Sequence, residues 1–214
     1  KMQTIKKVFI AGGTGFLGYH AALKFLDLGI QVDTIALENE IEISNWFDSR
    51  IHLSYGNLFT MNESEIYNLL KDKNYDCFIY ALGPDDRYIP KAPAYDFFYD
   101  RLVRQCKKIC QAAKKAKIQR CVILGSYFAT YDKKMNGKLS QYHPYIKARI
   151  QQEQELIALG KDSLFSVMIL ELPYIFGTMP QRKPLWRDSF LKYYDKMKSV
   201  ILPKNGGTAV IDVW

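Results

Sequence analysis

The stretch Ala11-Gly-Gly-Thr-Gly-Phe-Leu-Gly18 restricts the possible folds of this chain more than any other segment. Four glycines fall within seven residues, directly after the apolar run Lys7-Val-Phe-Ile-Ala11 and directly before an amphipathic stretch from Phe16 to Leu28. A short apolar run reads as a buried strand, and apolar residues at helical spacing read as a helix against it. Glycine at the junction permits a sharp turn and lets another group approach the backbone without meeting a Cβ. Gly29 stands where a helix C-cap is expected, and Gln31 to Leu37 resumes in apolar and β-branched residues. A parallel βαβ unit therefore closes within about 30 residues.

Gly13, Gly15 and Gly18 satisfy G-x-G-x-x-G, and Gly12, Gly15 and Gly18 satisfy G-x-x-G-x-x-G. In a strand-turn-helix context this is a dinucleotide-binding signature, because a pyrophosphate must approach the backbone and meet the free N–H groups of the helix N-terminus. Gly12, Thr14, Gly15, Phe16, Leu17 and Gly18 are the expected cofactor contacts. An acid at the tip of the second strand would hold the adenosine ribose of NAD, whereas an Arg would suit NADP. The tip reads Ala36-Leu37-Glu38-Asn39, so Glu38 is the nearest acid. With no Arg or Lys at the tip, NAD is favoured over NADP.

The rest of the chain repeats the rhythm. Strands are expected at Ile51–Tyr55, Cys77–Leu82, Cys121–Gly125 and Leu164–Leu170. Helices are expected at Asn62–Leu70, with Asn62 as cap and Glu65 three residues on, at Ala94–Lys115 and at Pro144–Leu159. Alternating apolar strands and helices predict an α/β fold, a doubly wound parallel sheet covered on both faces, forming one domain over residues 1–214. Its length of 214 residues and 48% hydrophobic content supply a sizeable core. Charged residues make up 24% and no apolar run reaches transmembrane length, which excludes a disordered chain and a membrane-spanning helix. Cys77 and Cys121 sit in apolar runs and read as buried thiols. Cys106 and Cys110 share a helix face without other ligands at zinc spacing, so no metal site is expected. The N-terminus enters a strand without the regions of a signal peptide, so a soluble, cytoplasmic protein with a trimmed start is expected.

Beyond these local readings, several segments together carry a family resemblance. They are the glycine turn, Tyr55-Gly-Asn-Leu58, Ala81-Leu-Gly83, Gly125-Ser126 and Pro144-Tyr-Ile-Lys-Ala-Arg149. In these the chain resembles the extended or atypical short-chain dehydrogenases/reductases, the NAD-dependent epimerase/dehydratase group with its NAD(P)-binding Rossmann fold. The resemblance implies that Asn57 and Leu58 stand against the adenine, that Ala81, Leu82 and Gly83 line the cofactor, and that Pro173 lies near the nicotinamide. It further implies a Ser, Tyr, Lys arrangement, with Tyr145 as acid/base and Ser126 or Tyr127 as ligand of the substrate oxygen. Residues i and i+4 share a helix side, so a cation one turn beyond the phenol can polarise it and grip the nicotinamide ribose. Arg149 occupies that place instead of Lys, and Lys147 points elsewhere. Arg keeps the charge but presents a planar fork, so the exchange is not conservative. A second departure is Leu102-Val103 in the long helix, where the family often carries Asn-Val supporting a proton relay.

Two loops at 83–93 and 177–190 leave strand ends on the ligand side, making Asp86, Arg87, Arg182 and Trp186 candidate substrate or lid residues. Arg182 and Lys183 would suit an anionic group such as a sugar-nucleotide diphosphate, and His143 is a further candidate contact. Thirty Lys+Arg against 22 Asp+Glu give a net charge of +8, much of it from the basic residues between Arg101 and Lys117. These are expected on a solvated helix face without the interleaved aromatics that single-stranded RNA would need. Asn205–Trp214 resembles the strand that precedes a further substrate region in the extended family, so a truncated chain, or a short member, is expected.

The expected activity is that of an NAD(P)-dependent epimerase/dehydratase-like oxidoreductase acting on a hydroxyl or carbonyl carbon of a sugar or nucleotide-sugar. The alternatives are a non-catalytic NAD(P)-sensing regulator and, third, an RNA-binding member of the family. Expected partners are the dinucleotide, a sugar-like or anionic small molecule and a second copy of the chain as homodimer; nucleic acid is disfavoured and a membrane is not among them.

Overall fold

The structure is a computed structural model that describes residues 4–37, 43–88, 90–162, 164–184, 186–187, 197, 199, 204–205 and 207–214. It opens with β1 (Lys7–Ala11), α1 (Phe16–Asp27) and β2 (Gln31–Ala36), followed by a 3-10 turn at Ile43–Asn45, β3 (His52–Tyr55), α2 (Glu63–Leu70) and β4 (Cys77–Tyr80). Residues 94–115 form one continuous helix in three parts: α3 (Ala94–Phe98), a π-helical segment (Tyr99–Arg104) and α4 (Gln105–Lys115). Then come β5 (Arg120–Leu124), α5 (Phe128–Lys134), α6 (Lys138–Tyr142), α7 (Pro144–Leu159), β6 (Ser166–Leu170), β7 (Tyr174–Phe176) and β8 (Val210–Asp212).

Six strands form one parallel sheet in the order β3-β2-β1-β4-β5-β6, and β7 pairs with β8 in a separate parallel ribbon. The expected doubly wound Rossmann topology is therefore present. Its order reverses between β1 and β4, where connections leave in opposite directions and open a crevice beyond the strand ends. Register puts Ala11 beside Ile35 and Tyr80, so the turns after β1 and β4 emerge together at that crevice.

Two cores flank the sheet. On one side Phe9, Phe78, Tyr80 and Ile123 pack under Ile66, Leu70, Ile109 and Leu156 from α2, α4 and α7. On the other, Val8, Ile10, Val32 and Ile79 meet Ala22, Phe25 and Leu26 of α1. Period-2 alternation is suppressed in these central strands because both faces are buried. Cover on both faces does not extend to β6, where Met168 and Leu170 are 59% and 40% exposed. There α7 packs against the strand.

Asn62 caps α2 in a reciprocal box, its Oδ1 accepting from Glu65 N at 3.0 Å while Glu65 Oε2 accepts from Asn62 N at 2.7 Å. The lysine-rich face of α4, expected merely to be solvated, also ties elements together. Lys107 pairs with Glu155 of α7 at 2.9 Å, Lys108 donates to the carbonyls of Phe59 and Met61, and Lys114 donates to Leu159 O. All four cysteines are buried and free, and burial pushes the Cys77 thiol up to about 12. No helix among the described residues is long and apolar enough to cross a membrane.

Candidate functional site

The glycine turn is shaped by close backbone packing. Gly12 has φ +94°, and a Cβ there would lie 2.6 Å from the Ala81 carbonyl oxygen. A Cβ on Gly18 would lie 2.1 Å from Gly12 O, because α1 begins pressed against the turn. Behind it, the buried Thr34 hydroxyl donates to Ile10 O at 2.6 Å and accepts from Gly13 N at 3.1 Å, fastening the turn to β2. Gly15 caps α1 without a side-chain acceptor, which leaves first-turn N–H groups available to an anion.

Beside the turn, Gly56 N donates to Ala36 O at 2.8 Å and brings Asn57 next to the end of β2. Asn57 Oδ1 accepts from Phe59 N, while the Leu58 side chain is buried in the core. Glu38, the expected ribose ligand, lies outside the described residues.

A cleft of about 300 Å³ opens at the strand ends. It is lined by residues 15–17 of the turn, 81–87 after β4, 124–128 after β5, Tyr145 and Arg149 of α7, and 172–175 after β6. The fold thus gathers Gly15, Phe16, Leu17, Ala81, Leu82, Gly83, Ser126, Tyr145, Arg149 and Pro173 around one space. Gly12, Thr14, Gly18, Asn57 and Leu58 lie outside its lining. A smaller pocket of about 90 Å³, lined by Gly177, Met179, Arg182, Lys183, Pro184 and Trp186, adjoins through Phe16 and Ile175. Both expected substrate-side loops therefore reach the cleft or its neighbour, although Ile89, Leu185 and residues 188–190 are outside the described residues. Arg87 pairs with Asp85 and lies 5.7 Å over the Tyr174 ring at the mouth. His143 is exposed and does not line the cleft.

Tyr145 and Arg149 are 4% and 8% exposed. Arg149 Nε donates to Tyr145 Oη at 3.0 Å. Arg149 Nη1 donates to Leu124 O at 3.1 Å and to Gln152 Oε1 at 2.8 Å. A buried guanidinium held at three points is rigid, and its charge sits beside the phenol oxygen in a poorly solvated setting. Lys147 instead reaches over the Tyr95 ring at 4.6 Å, as its position two residues from Tyr145 implies. Leu102, fully buried, packs with Phe98 and Tyr145, and its Cδ2 stands where a Cβ on Gly83 would come within 2.8 Å. The residue in the Asn position is thus an apolar wall between the β4 turn and the phenol.

Ser126 and Tyr127 both line the cleft, but their hydroxyls differ. Ser126 Oγ accepts a long 3.4 Å bond from Phe128 N, whereas Tyr127 Oη is bonded to Thr208 Oγ1 at 2.8 Å. Ser126 is the less committed of the two. Behind the pair, Glu153 is buried with Oε2 on Lys133 at 2.9 Å; burial pushes its carboxyl up, against the pull of that lysine. Thr34 and Gln152 were not foreseen. Their signals were a polar residue within an apolar strand, and a Gln three residues beyond Arg149 on the same helix face.

The model of the NAD dependent epimerase/dehydratase family matches residues 8–210. No curated protein matches the chain significantly. Among solved structures, the Bordetella bronchiseptica enzyme WbmH in complex with NAD+ is similar at 17% identity and TM-score 0.67, over 98% of this chain and 69% of that one. The UDP-glucose 4-epimerase of Thermotoga maritima with UDP-glucose is similar at 13% identity and TM-score 0.73, over 97% and 69%. MoeE5 in complex with UDP-glucuronic acid and NAD is similar at 14% identity and TM-score 0.69, over 97% and 68%. At such identities the likeness is one of fold.

Proposed function

The chain belongs to the NAD-dependent epimerase/dehydratase family, and we propose that it is an NAD-dependent oxidoreductase or epimerase acting on a hydroxyl or carbonyl carbon of a nucleotide-sugar. The observation that carries the reading is the buried Tyr145 hydroxyl in the cleft, with Arg149 Nε at 3.0 Å and Ser126 in the same lining. Residues 1–214 would act as one dinucleotide-binding domain, with loops 83–93 and 177–190 meeting the substrate. The residues present fit the cofactor: a Cβ at Gly12 or Gly18 would collide with backbone, so the turn keeps the bare cradle a pyrophosphate needs.

Nicotinamide, when bound, supplies the hydride acceptor and donor. Oxidation of a substrate alcohol removes a hydride from carbon and a proton from oxygen, and Tyr145 Oη takes that proton. Tyr145 must be the phenolate before that step, a form that Arg149 Nε stabilises, and it becomes the neutral phenol on taking the proton, while Ser126 Oγ donates to the substrate oxygen. The two Nη2 N–H groups of Arg149 have no partner among the described residues and are the donors available to ribose hydroxyls. Gly15, Ala81 to Gly83 and Pro173 would line the dinucleotide, and Arg182 with Lys183 would receive the diphosphate of the substrate. A second reading, a dinucleotide-sensing regulator, is favoured by the apolar Leu102 wall where a relay Asn is usual.

Titration with NAD and with NADP, followed by intrinsic fluorescence, should give a response to NAD; silence toward both removes the enzyme and sensor readings together. Hydride exchange from UDP-glucose and UDP-glucuronic acid to NAD then separates them. Tyr145→Phe should keep the fold, losing about 1 kcal/mol of stability with one hydrogen bond, and lower turnover at least about 100-fold. Unchanged turnover in that variant would take Tyr145 out of the mechanism.

A further inference from the structure

We propose that Gln152 is the positioning residue of the site: its carbonyl oxygen fixes the Arg149 guanidinium so that Nε, and not the terminal nitrogens, faces Tyr145. The inference rests on the reading of Tyr145 as acid/base and deepens it, because it says how an arginine serves where a lysine is usual.

A guanidinium carries five N–H donors in a plane, one on Nε and two on each terminal nitrogen. In this site Nε meets Tyr145 Oη, while the two on Nη1 meet Leu124 O at 3.1 Å and Gln152 Oε1 at 2.8 Å. A lysine would present rotatable donors on a single nitrogen and would need no such bracing. For arginine, one bond to Tyr145 leaves the plane free to turn, and any of its nitrogens could then contact the phenol. The two bonds on Nη1 remove that freedom, one from the end of β5 and one from the helix turn after Arg149. Both Tyr145 and Gln152 lie on the Arg149 side of α7, at i−4 and i+3.

Gln152 has a feature that stability alone does not account for. It is fully buried, yet its Nε2 has no hydrogen-bond partner among the described residues. An orphaned amide in a core costs free energy that an apolar residue of the same shape would avoid. Among the described residues its carbonyl end alone has a partner, and because Nη1 can only donate, the oxygen must be the atom that faces it. The neutral amide also suits the task. A carboxylate here would pair with the guanidinium and take up the charge that Tyr145 uses, whereas the carboxylate that is nearby, Glu153, has Lys133 at 2.9 Å.

The test compares Gln152→Met, which keeps the length and removes the acceptor, with Gln152→Glu, in the wild-type and the Arg149→Lys backgrounds. The Arg149 Nε–H signal in proton–nitrogen NMR spectra, identified by its loss in Arg149→Lys, reads orientation without any substrate. Gln152→Met should speed its solvent exchange about tenfold or more, and Gln152→Glu should leave it slow, since a carboxylate still holds the fork. With NAD and UDP-glucose as probes, both variants should lower kcat about tenfold with KM within about twofold. In the Arg149→Lys background Gln152→Met should change kcat less than about twofold, because the partner of the amide is gone. Unaltered Nε–H exchange in folded Gln152→Met overturns the proposal, as does an equal kcat loss in both backgrounds, which would make Gln152 a packing residue. Should Gln152→Met fail to fold, Gln152→Leu, which also lacks an acceptor, takes its place, and unaltered Nε–H exchange in that variant overturns the proposal. If Tyr145→Phe retains turnover while Gln152→Met still frees Nε–H, the positioning stands and the acid/base reading falls.

Discussion

The glycine turn and the Tyr145–Arg149 face border one cleft and reach their geometry by opposite means. In the turn, what matters is the absence of atoms: a Cβ at Gly12 or Gly18 would sit 2.6 or 2.1 Å from a carbonyl oxygen. At the helix face, what matters is atoms held in place, with Arg149 bonded to Tyr145, Leu124 and Gln152. A backbone site tolerates almost no substitution, because steric exclusion has no substitute. A side-chain site can exchange one cation for another if its neighbours take over the positioning. The difference explains how this chain keeps a family-type glycine turn while departing at Arg149 and Leu102.

The contrast can be broken most directly at Gly18. Gly18→Ala should cost about 2–4 kcal/mol and abolish the fluorescence response to NAD, since the atoms in the way are backbone and cannot swing aside. Thermal denaturation with titration measures both effects, and a stable, NAD-responsive variant would remove the steric account of the turn. Next in size is Arg149→Met, which strands the Leu124 carbonyl, the Gln152 oxygen and the Tyr145 hydroxyl without their donor. Denaturant unfolding should register a loss of about 2–3 kcal/mol. Arg149→Lys should fall between this variant and wild type, because one ammonium cannot meet all three acceptors in the same geometry. Equal stability of the lysine form and the wild type would mean that the three-point network adds nothing. Smallest is Thr34→Val, which conserves shape but leaves Gly13 N without its acceptor and removes the hydroxyl's bond to Ile10 O; it should cost about 1–2 kcal/mol and weaken the NAD response only a few-fold. An unchanged titration and melting curve would detach Thr34 from the turn.

Much of the framework was legible because its signals are local. Strand β1, the glycine turn and α1 follow one another within about 20 residues, and the Asn62 box needs only a Glu three residues on. Helix α7 was readable from Pro144 at its first turn. Other parts left little trace. Helices α5 and α6 are short, and neither has a side-chain cap bond; α6 starts after Gly137 at φ +78°, so no start signal marks them. The π-helical segment Tyr99–Arg104 lies in a run from Ala94 to Lys115 with no Gly or Pro to announce a break. Exposure of Met168 and Leu170 on β6 was also hidden, since an apolar strand reads alike whether one face is covered or two.

In the cleft the same division holds. Tyr145, Arg149 and Ser126 were named as candidates through the resemblance of Pro144–Arg149 and Gly125-Ser126 to the family's segments, and the fold brings all three to the cleft. Thr34 escaped because its partner Gly13 is 21 residues away in the chain. By itself, then, the sequence determined the Rossmann framework, the bare turn and the placing of Tyr145 and Arg149 one helical turn apart, all of which depend on nearest neighbours and residue type. Tertiary structure alone decided which guanidinium nitrogen faces Tyr145, that Leu102 walls the β4 turn from the phenol, and that Tyr127 spends its hydroxyl on Thr208. Those outcomes depend on carbonyls and side chains brought together across the sheet ends, where burial removes the water that would otherwise compete for each bond.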